Sequence, residues 1–427
     1  MRALPALAAA GALIAVAAGC QSSRNTAPHQ RLIGFNLAVS DDTAWTEVLT
    51  LDRNTLKARG RSLRLDDVIT ADNDAAATSP VGELSPDRRT LAVGGSSGRI
   101  FLFDPARLRR VGSISLPRGT DMVDVDSWPR PDRLLAVYGR YSVTSTSGDS
   151  LAVVDPVARR IVRREALHGA VEHAEKLRDG TLVLSVLPLT ARGTRRVVVV
   201  SRDGLVRSVR VGGNLPSIAT DGHHRAFVVE DGQPIREIDV RSLRVEEHRV
   251  PLTTSRAGLP QPPVNPPGQV EPRLTRYRGA TWLGDGLLGI AGGVDRPARL
   301  GGQLGVRHVH YRYQLVDTGT WRTLATMPLT SCRRAFGLYL CSANVGGFPP
   351  DTKGSRGSTT VVYDRDWKLL YRKRSTTLWR AEVAGHLLAG SPDGSAMSEL
   401  DPRTGSVLRR LGTMRVWPAD VLDWSAR

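Results

Sequence analysis

The feature that most constrains this chain is a hairpin unit that recurs eight times. Each copy is a β-rich run, an aspartate or serine, a short polar turn, then a second β-rich run. The copies are EVLTLDRNTLKARGRSL (47–63), RIFLFDPARLRRVGSISL (99–116), LAVVDPVARRIVRREAL (151–167), VVVVSRDGLVRSVRV (197–211), IREIDVRSLRVEEHRV (235–250), YQLVDTGTWRTLATMPL (313–329), TVVYDRDWKLLYRKRS (360–375) and MSELDPRTGSVLRRL (397–411). An aspartate that starts a turn accepts backbone N–H groups of that same turn, and Pro, Gly, Asn or Thr follow it here. Each copy is therefore a hairpin by chemistry as well as by pattern.

The turn residues are Asp52, Asp104, Asp155, Ser201, Asp239, Asp317, Asp364 and Asp401, separated by 52, 51, 46, 38, 78, 47 and 37 residues. A spacing near 40 to 50 is that of β-propeller blades. Upstream of each hairpin lies a more apolar run, such as RLIGFNLAV (31–39), TLAVGG (90–95), RLLAVYG (133–139) or TLVLSVL (181–187), which suits a strand covered on both faces. Seven of these runs are preceded by an irregular strand, for example DMVDVDSW (121–128) or VEHAEKL (171–177); the first is not. The missing strand has a donor in MRVWPADVLDW (414–424), which follows the last hairpin. The expectation is an all-β, eight-bladed propeller over 31–427, closed by the C-terminal strand pairing with the N-terminal blade, with seven blades if one hairpin is an insertion.

The blocks LDPRTGSVLRRL around Asp401 and VDTGTWRTL around Asp317 resemble YVTN-type and quinoprotein-like propeller repeats. That resemblance implies architecture alone. Quinoprotein dehydrogenases carry a Thr-Gly-x-x-x-Trp docking pattern in most blades, whereas here only Trp321 comes close and it is displaced. Their vicinal cysteines are absent too, so no quinone is carried over and no cofactor is expected.

The first residues, MRALPALAAAGALIAVAAGC, place Arg2 before an apolar stretch too short to span a bilayer stably. The ending Ala17-Ala18-Gly19-Cys20 resembles the bacterial lipobox, with Ala17 where leucine or valine is preferred. The resemblance implies a signal peptide over 1–19, acylation of Cys20, a polar tether over 20–30 and a protein held to a membrane on its extracytoplasmic side. Net charge is formally +17, spread along the chain as arginine with no dense basic run, so no nucleic-acid partner is expected. An exported protein of this charge meets anionic lipid headgroups or envelope polymers instead.

Of three cysteines, Cys20 is consumed by lipid, which leaves Cys332 and Cys341. They bracket RRAFGLYL, and a turn centred on Phe336 and Gly337 sets them opposite each other on adjacent strands, as a structural disulfide requires.

The longer segments all fall between second and third strands or between blades: 140–150, 188–195, 253–273, 292–307 and 345–358. Loop length is thus concentrated on one face, where binding residues usually sit. Among its arginines are Arg140, Arg192, Arg195, Arg296, Arg299, Arg307 and Arg356, which favour an anionic ligand, a protein or an envelope polymer. The proline-rich run 255–273 reads as a tolerated excursion. A second candidate is Glu172, His173 and Glu175 on a strand expected to line the channel. His308 and His310 share one face of a strand, a spacing that can begin a metal site, but their apolar neighbours favour an outward, metal-free setting. GGSSG (94–98) matches a hydrolase string but joins two strands, so it reads as a hairpin loop. No zinc, phosphate-loop or triad signature appears. The leading expectation is a membrane-tethered binding or scaffolding propeller; the alternative is a propeller enzyme, lactonase-like or quinone-dependent, with its site at the channel mouth.

Overall fold

The computed structural model describes residues 31–40, 43–65, 82–95, 98–120, 122–139, 148–189, 194–211, 217–230, 233–251, 278–300, 303–343, 347–348, 359–374, 380–383, 385–390, 397–412 and 421–423. Every regular element among them is a β-strand, and the strands form eight antiparallel sheets, the blades of one ring. Blade 1 is β1 (Arg31–Ser40), β2 (Thr43–Asp52) and β3 (Ala58–Leu65). Blade 2 is β4 (Gly82–Leu84), β5 (Leu91–Val93), β6 (Arg99–Asp104) and β7 (Arg109–Ser115). Blade 3 is β8 (Met122–Arg130), β9 (Arg133–Gly139), β10 (Ser150–Asp155) and β11 (Arg160–Ala166). Blade 4 is β12 (Ala170–Lys176), β13 (Leu182–Leu187), β14 (Arg196–Val200) and β15 (Val206–Arg210). Blade 5 is β16 (Ser217–Thr220), β17 (Arg225–Val229), β18 (Ile235–Asp239) and β19 (Val245–His248). Blade 6 is β20 (Arg278–Gly284), β21 (Leu287–Leu300), β22 (Gln303–Asp317) and β23 (Arg322–Met327). Blade 7 is β24 (Ser331–Ala335), β25 (Leu338–Ala343), β27 (Thr359–Tyr363) and β28 (Leu369–Arg374), with β26 (Gly347–Phe348) between its second and third strands. Blade 8 is β29 (Arg380–Val383), β30 (His386–Gly390), β31 (Met397–Leu400) and β32 (Val407–Gly412).

Blade 1 takes its fourth strand from the other end of the chain. β33 (Val421–Asp423) pairs with β1 in the register Leu32↔Asp423, Ile33↔Leu422 and Gly34↔Val421. The ring therefore closes as the repeat demands, with eight blades and not seven. A side-chain clasp lies at the same seam. His386 of blade 8 donates from Nε2 to the Arg53 carbonyl of blade 1 at 2.9 Å and holds Glu399 through Nδ1 at 2.6 Å. Arg409 bonds the same carboxylate and donates to the Asn54 carbonyl.

The apolar core is a series of layers between blades. Phe35 and Val48 of blade 1 meet Leu91 and Phe101 of blade 2, and Leu135 and Leu151 of blade 3 meet Leu184 and Val198 of blade 4. Second and third strands are buried on both faces, which is why they read as unbroken apolar runs.

The eight turns are built as the sequence requires. Asp52, Asp104, Asp155, Asp239, Asp364 and Asp401 each accept two backbone N–H groups of their own turn, and Asp401 does so from Arg403 and Thr404 at 2.8 Å. Asp317 accepts from the Gly319 N–H and the Thr320 hydroxyl, and Ser201 from the Leu205 N–H. Three or four positions past each capping residue, one residue adopts a left-handed φ: Leu56, Leu108, Arg159, Gly204, Leu243, Trp321, Trp367 and Gly405. Several of these seat the hairpin against the preceding blade. Trp321, displaced from the quinoprotein pattern, still docks there: it stacks on His248 of blade 5 with ring centroids 3.6 Å apart. Glycine occupies the position where the neighbour is bulky, since a Cβ on Gly405 would lie 2.5 Å from the Tyr371 ring.

In each blade the first strand runs away from the loop-rich face and the third returns to the tight turns. The register Arg31↔Asp52 puts the start of the ring on the turn face.

One expectation is corrected. The segment 292–307, read as one of the long loops, continues β21 and β22 past a bulge as far as Leu300↔Gln303. Val294, Val306 and Val309 supply the β-branched residues that a paired ribbon favours.

Candidate functional site

Two arrangements follow from this geometry. The first is a ribbon on the loop-rich face of blade 6. Beyond the bulge, Val294↔Val309, Asp295↔His308, Arg296↔Arg307 and Arg299↔Leu304 pair, an extension longer than the one that carries β1 and β2 of blade 1 out to Ser40↔Thr43 among the described residues. β26, from the segment between the second and third strands of blade 7, adds to it through Val306↔Phe348 and Arg307↔Gly347. Two of the five long segments in the sequence thus form one three-stranded platform. His308 lies on it across from Asp295, and His310 lies on the same strand.

The remaining expected arginines distribute differently. Arg140, Arg192 and Arg356, with Cys20 and the 255–273 insertion, lie outside the described residues. Arg195, expected on the exposed ligand face, is instead buried and pairs with Glu172 at 2.5 Å. A guanidinium so enclosed serves the channel wall and is not free for a ligand on the loops.

The second arrangement is that wall. His173 and Glu175 are 3.0 Å apart, and Glu175 also accepts from the Thr220 hydroxyl of blade 5 at 3.3 Å. Glu172, His173 and Glu175 are therefore brought together with partners the sequence did not single out. Lys176 reaches past blade 3 to Glu83 of blade 2 at 2.6 Å. Burial outweighs that lysine and pushes the Glu83 carboxyl up. Between them Asp126, left over in a bulge of β8, accepts the Val137 N–H at 3.0 Å. Desolvation, then the neighbouring Asp124 and Glu83, push its carboxyl well above the usual carboxylate range. The missed signal was in view: DMVDVDSW sets two carboxylates on an innermost strand of a strongly basic chain.

Cys332 and Cys341 are disulfide-bonded and directly opposite in register, across the turn at Phe336 and Gly337. Among the described residues no cluster of three His, Cys, Asp or Glu side chains is arranged to hold a metal, and no helix is long and apolar enough to cross a membrane.

No family model matches the chain, and no curated protein matches it. Among solved structures it is similar to the dihydro-heme d1 dehydrogenase NirN in complex with DHE, at 13% identity and a TM-score of 0.56, over 92% of this chain and 76% of that one. A weaker likeness, at 12% identity and a TM-score of 0.41, is to BamB from Moraxella catarrhalis, over 83% of this chain and 90% of that one. At these identities the likeness speaks to architecture alone, and the eight closed sheets, all strand, make the chain an eight-bladed β-propeller.

Proposed function

We propose that this chain is an extracytoplasmic lipoprotein, acylated at Cys20, whose propeller binds an anionic protein or envelope polymer through the ribbon of blade 6. The observation that carries this reading is the register Arg296↔Arg307. Like charges directly opposite on paired strands repel, and an anion resting over both offsets the repulsion. Arg299 stands three positions from Arg296 and so falls on the other face of the same ribbon. The tether supports the reading by its position, because the ring begins on the turn face and the ribbon stands on the opposite one.

The channel cluster belongs to the scaffold. Glu83, Glu172, Glu175 and Asp126 each have a partner within the wall, an arrangement that fixes blades 2 to 5 against one another.

The test is a pull-down from envelope extract with the parent chain and with the Arg296→Ala, Arg299→Ala, Arg307→Ala triple variant. The parent should retain a partner whose affinity falls with salt, and the variant should lose it. An unchanged affinity for the triple variant at low salt overturns the reading.

A further inference from the structure

The turn face, opposite the ribbon, carries a composition that capping chemistry does not require. The turn aspartates are engaged by their own backbone N–H groups, so their charge is directed into the turn. The exposed tips carry cations: each of the eight turns bears at least one exposed Lys or Arg, among them Lys57, Arg109, Arg160, Arg202, Arg241 and Arg403. Asp203 and Asp366 are exposed acids on the same turns, Asp203 paired with Arg130, and Asp87, Asp179 and Asp285 are exposed on the turns between first and second strands of this face.

Apolar exposure gathers where the outermost strands leave these turns: Val157 and Leu205 lie in the turns, and six more lie in the first three residues of β11, β23, β28 and β32. Nine large apolar side chains are exposed among the described residues, and eight of them follow a turn Asp or Ser by two to seven positions. Val157 is 78% exposed, Leu324 59%, Leu408 58% and Leu205 52%; the ninth, Leu189, lies between second and third strands of blade 4. Bulges in β11, β23, β28 and β32 turn Val162, Leu324, Leu370 and Leu408 outward near this rim. A partner that accepts arginines and scattered aliphatic side chains around a ring presents a continuous surface with anions at its boundary.

We propose that the turn face docks on an anionic membrane leaflet, with arginines among the headgroups and the exposed valines and leucines at the acyl boundary. This rests on the lipoprotein reading only for where the bilayer stands. Arg31 opens the ring on this face, and the eleven residues from Cys20 reach at most about 40 Å, which leaves the turns within reach of the leaflet. Docked this way, the ribbon of blade 6 points away from the membrane.

The test is vesicle co-sedimentation of residues 21–427, so that neither an acyl group nor the apolar 1–19 segment contributes. One variant adds Arg202→Glu, Arg241→Glu and Arg403→Glu on the turn face. A matched variant adds Arg99→Glu, Arg118→Glu and Arg210→Glu, exposed residues toward the other face. Circular dichroism confirms the fold of each. The unacylated parent should bind phosphatidylcholine vesicles that contain phosphatidylglycerol better than vesicles of phosphatidylcholine alone. The turn-face variant should lose that binding by on the order of 100-fold, taking each cation near an anionic leaflet as about fivefold. The matched variant should bind as the parent does. Equal losses in the two variants, or no preference of the parent for the anionic vesicles, overturn the proposal. Acylation is read separately from the mass of the mature N-terminus, so its failure and the failure of docking are distinct results.

Discussion

Four positions after Asp401 the chain must take a left-handed φ, and Gly405 does so at +67° with the Tyr371 ring against it. Gly405→Ala should cost about 1–2 kcal/mol by the left-handed backbone alone, with the ring contact adding to it. A urea midpoint unchanged from the parent would contradict this. Carboxylates at this scale have opposite pH signatures. Turn N–H groups hold the Asp239, Asp317 and Asp401 carboxyls below their ordinary value of 3.8, so their contribution is complete above that pH and is lost as pH falls through the lowered folded values. Asp126 is the reverse. Its folded carboxyl is raised above 3.8, so the stability it contributes is present below that pH and drains as pH rises through the raised folded value. Asp126→Asn keeps an acceptor for the Val137 N–H and removes that slope. Its thermal midpoint should rise relative to the parent as pH climbs above the ordinary carboxyl value of 3.8, and parallel curves would contradict the assignment. The turn aspartates were legible because each sits in a local signal of Asp with Pro, Gly or Thr. Asp126 was not, because the burial that raises it comes from packing of the ring; the sequence shows only its neighbour Asp124.

At the scale of the hairpin, local chemistry again decides what a reader of the sequence can find. The disulfide hairpin of blade 7 was legible because eight residues separate Cys332 from Cys341 and a two-residue turn fixes their register. Replacing both cysteines by alanine should cost about 2–3 kcal/mol, the closure entropy of a loop of about ten residues, seen as a lower urea midpoint. No change in that midpoint would mean that the blade does not depend on the bond. The ribbon of blade 6 was not legible. Gly292, Gly293 and Pro297 signal a loop locally, while the pairing that makes 294–300 a strand comes from β22 and is reinforced by β26 of the next blade. The same limit applied to Arg195, whose partner Glu172 is 23 residues away.

The whole molecule is a ring because eight modules each bury their second and third strands against neighbours and leave one first strand to be supplied from the far end. That much was legible, since the period and the missing strand both appear in the sequence. The division of the surface into a turn face and a ribbon face follows once the ring closes, and closure depends on three residues of β33 and the clasp of His386, Glu399 and Arg409. Hydrogen exchange on the chain truncated after Gly412 tests this most directly. Loss of β33 should leave the amides of 32–34 exchanging much faster than in the intact chain, while those of blade 4 keep their protection. Unchanged protection across 31–40 in the truncated chain would contradict a ring closed by its C-terminal strand.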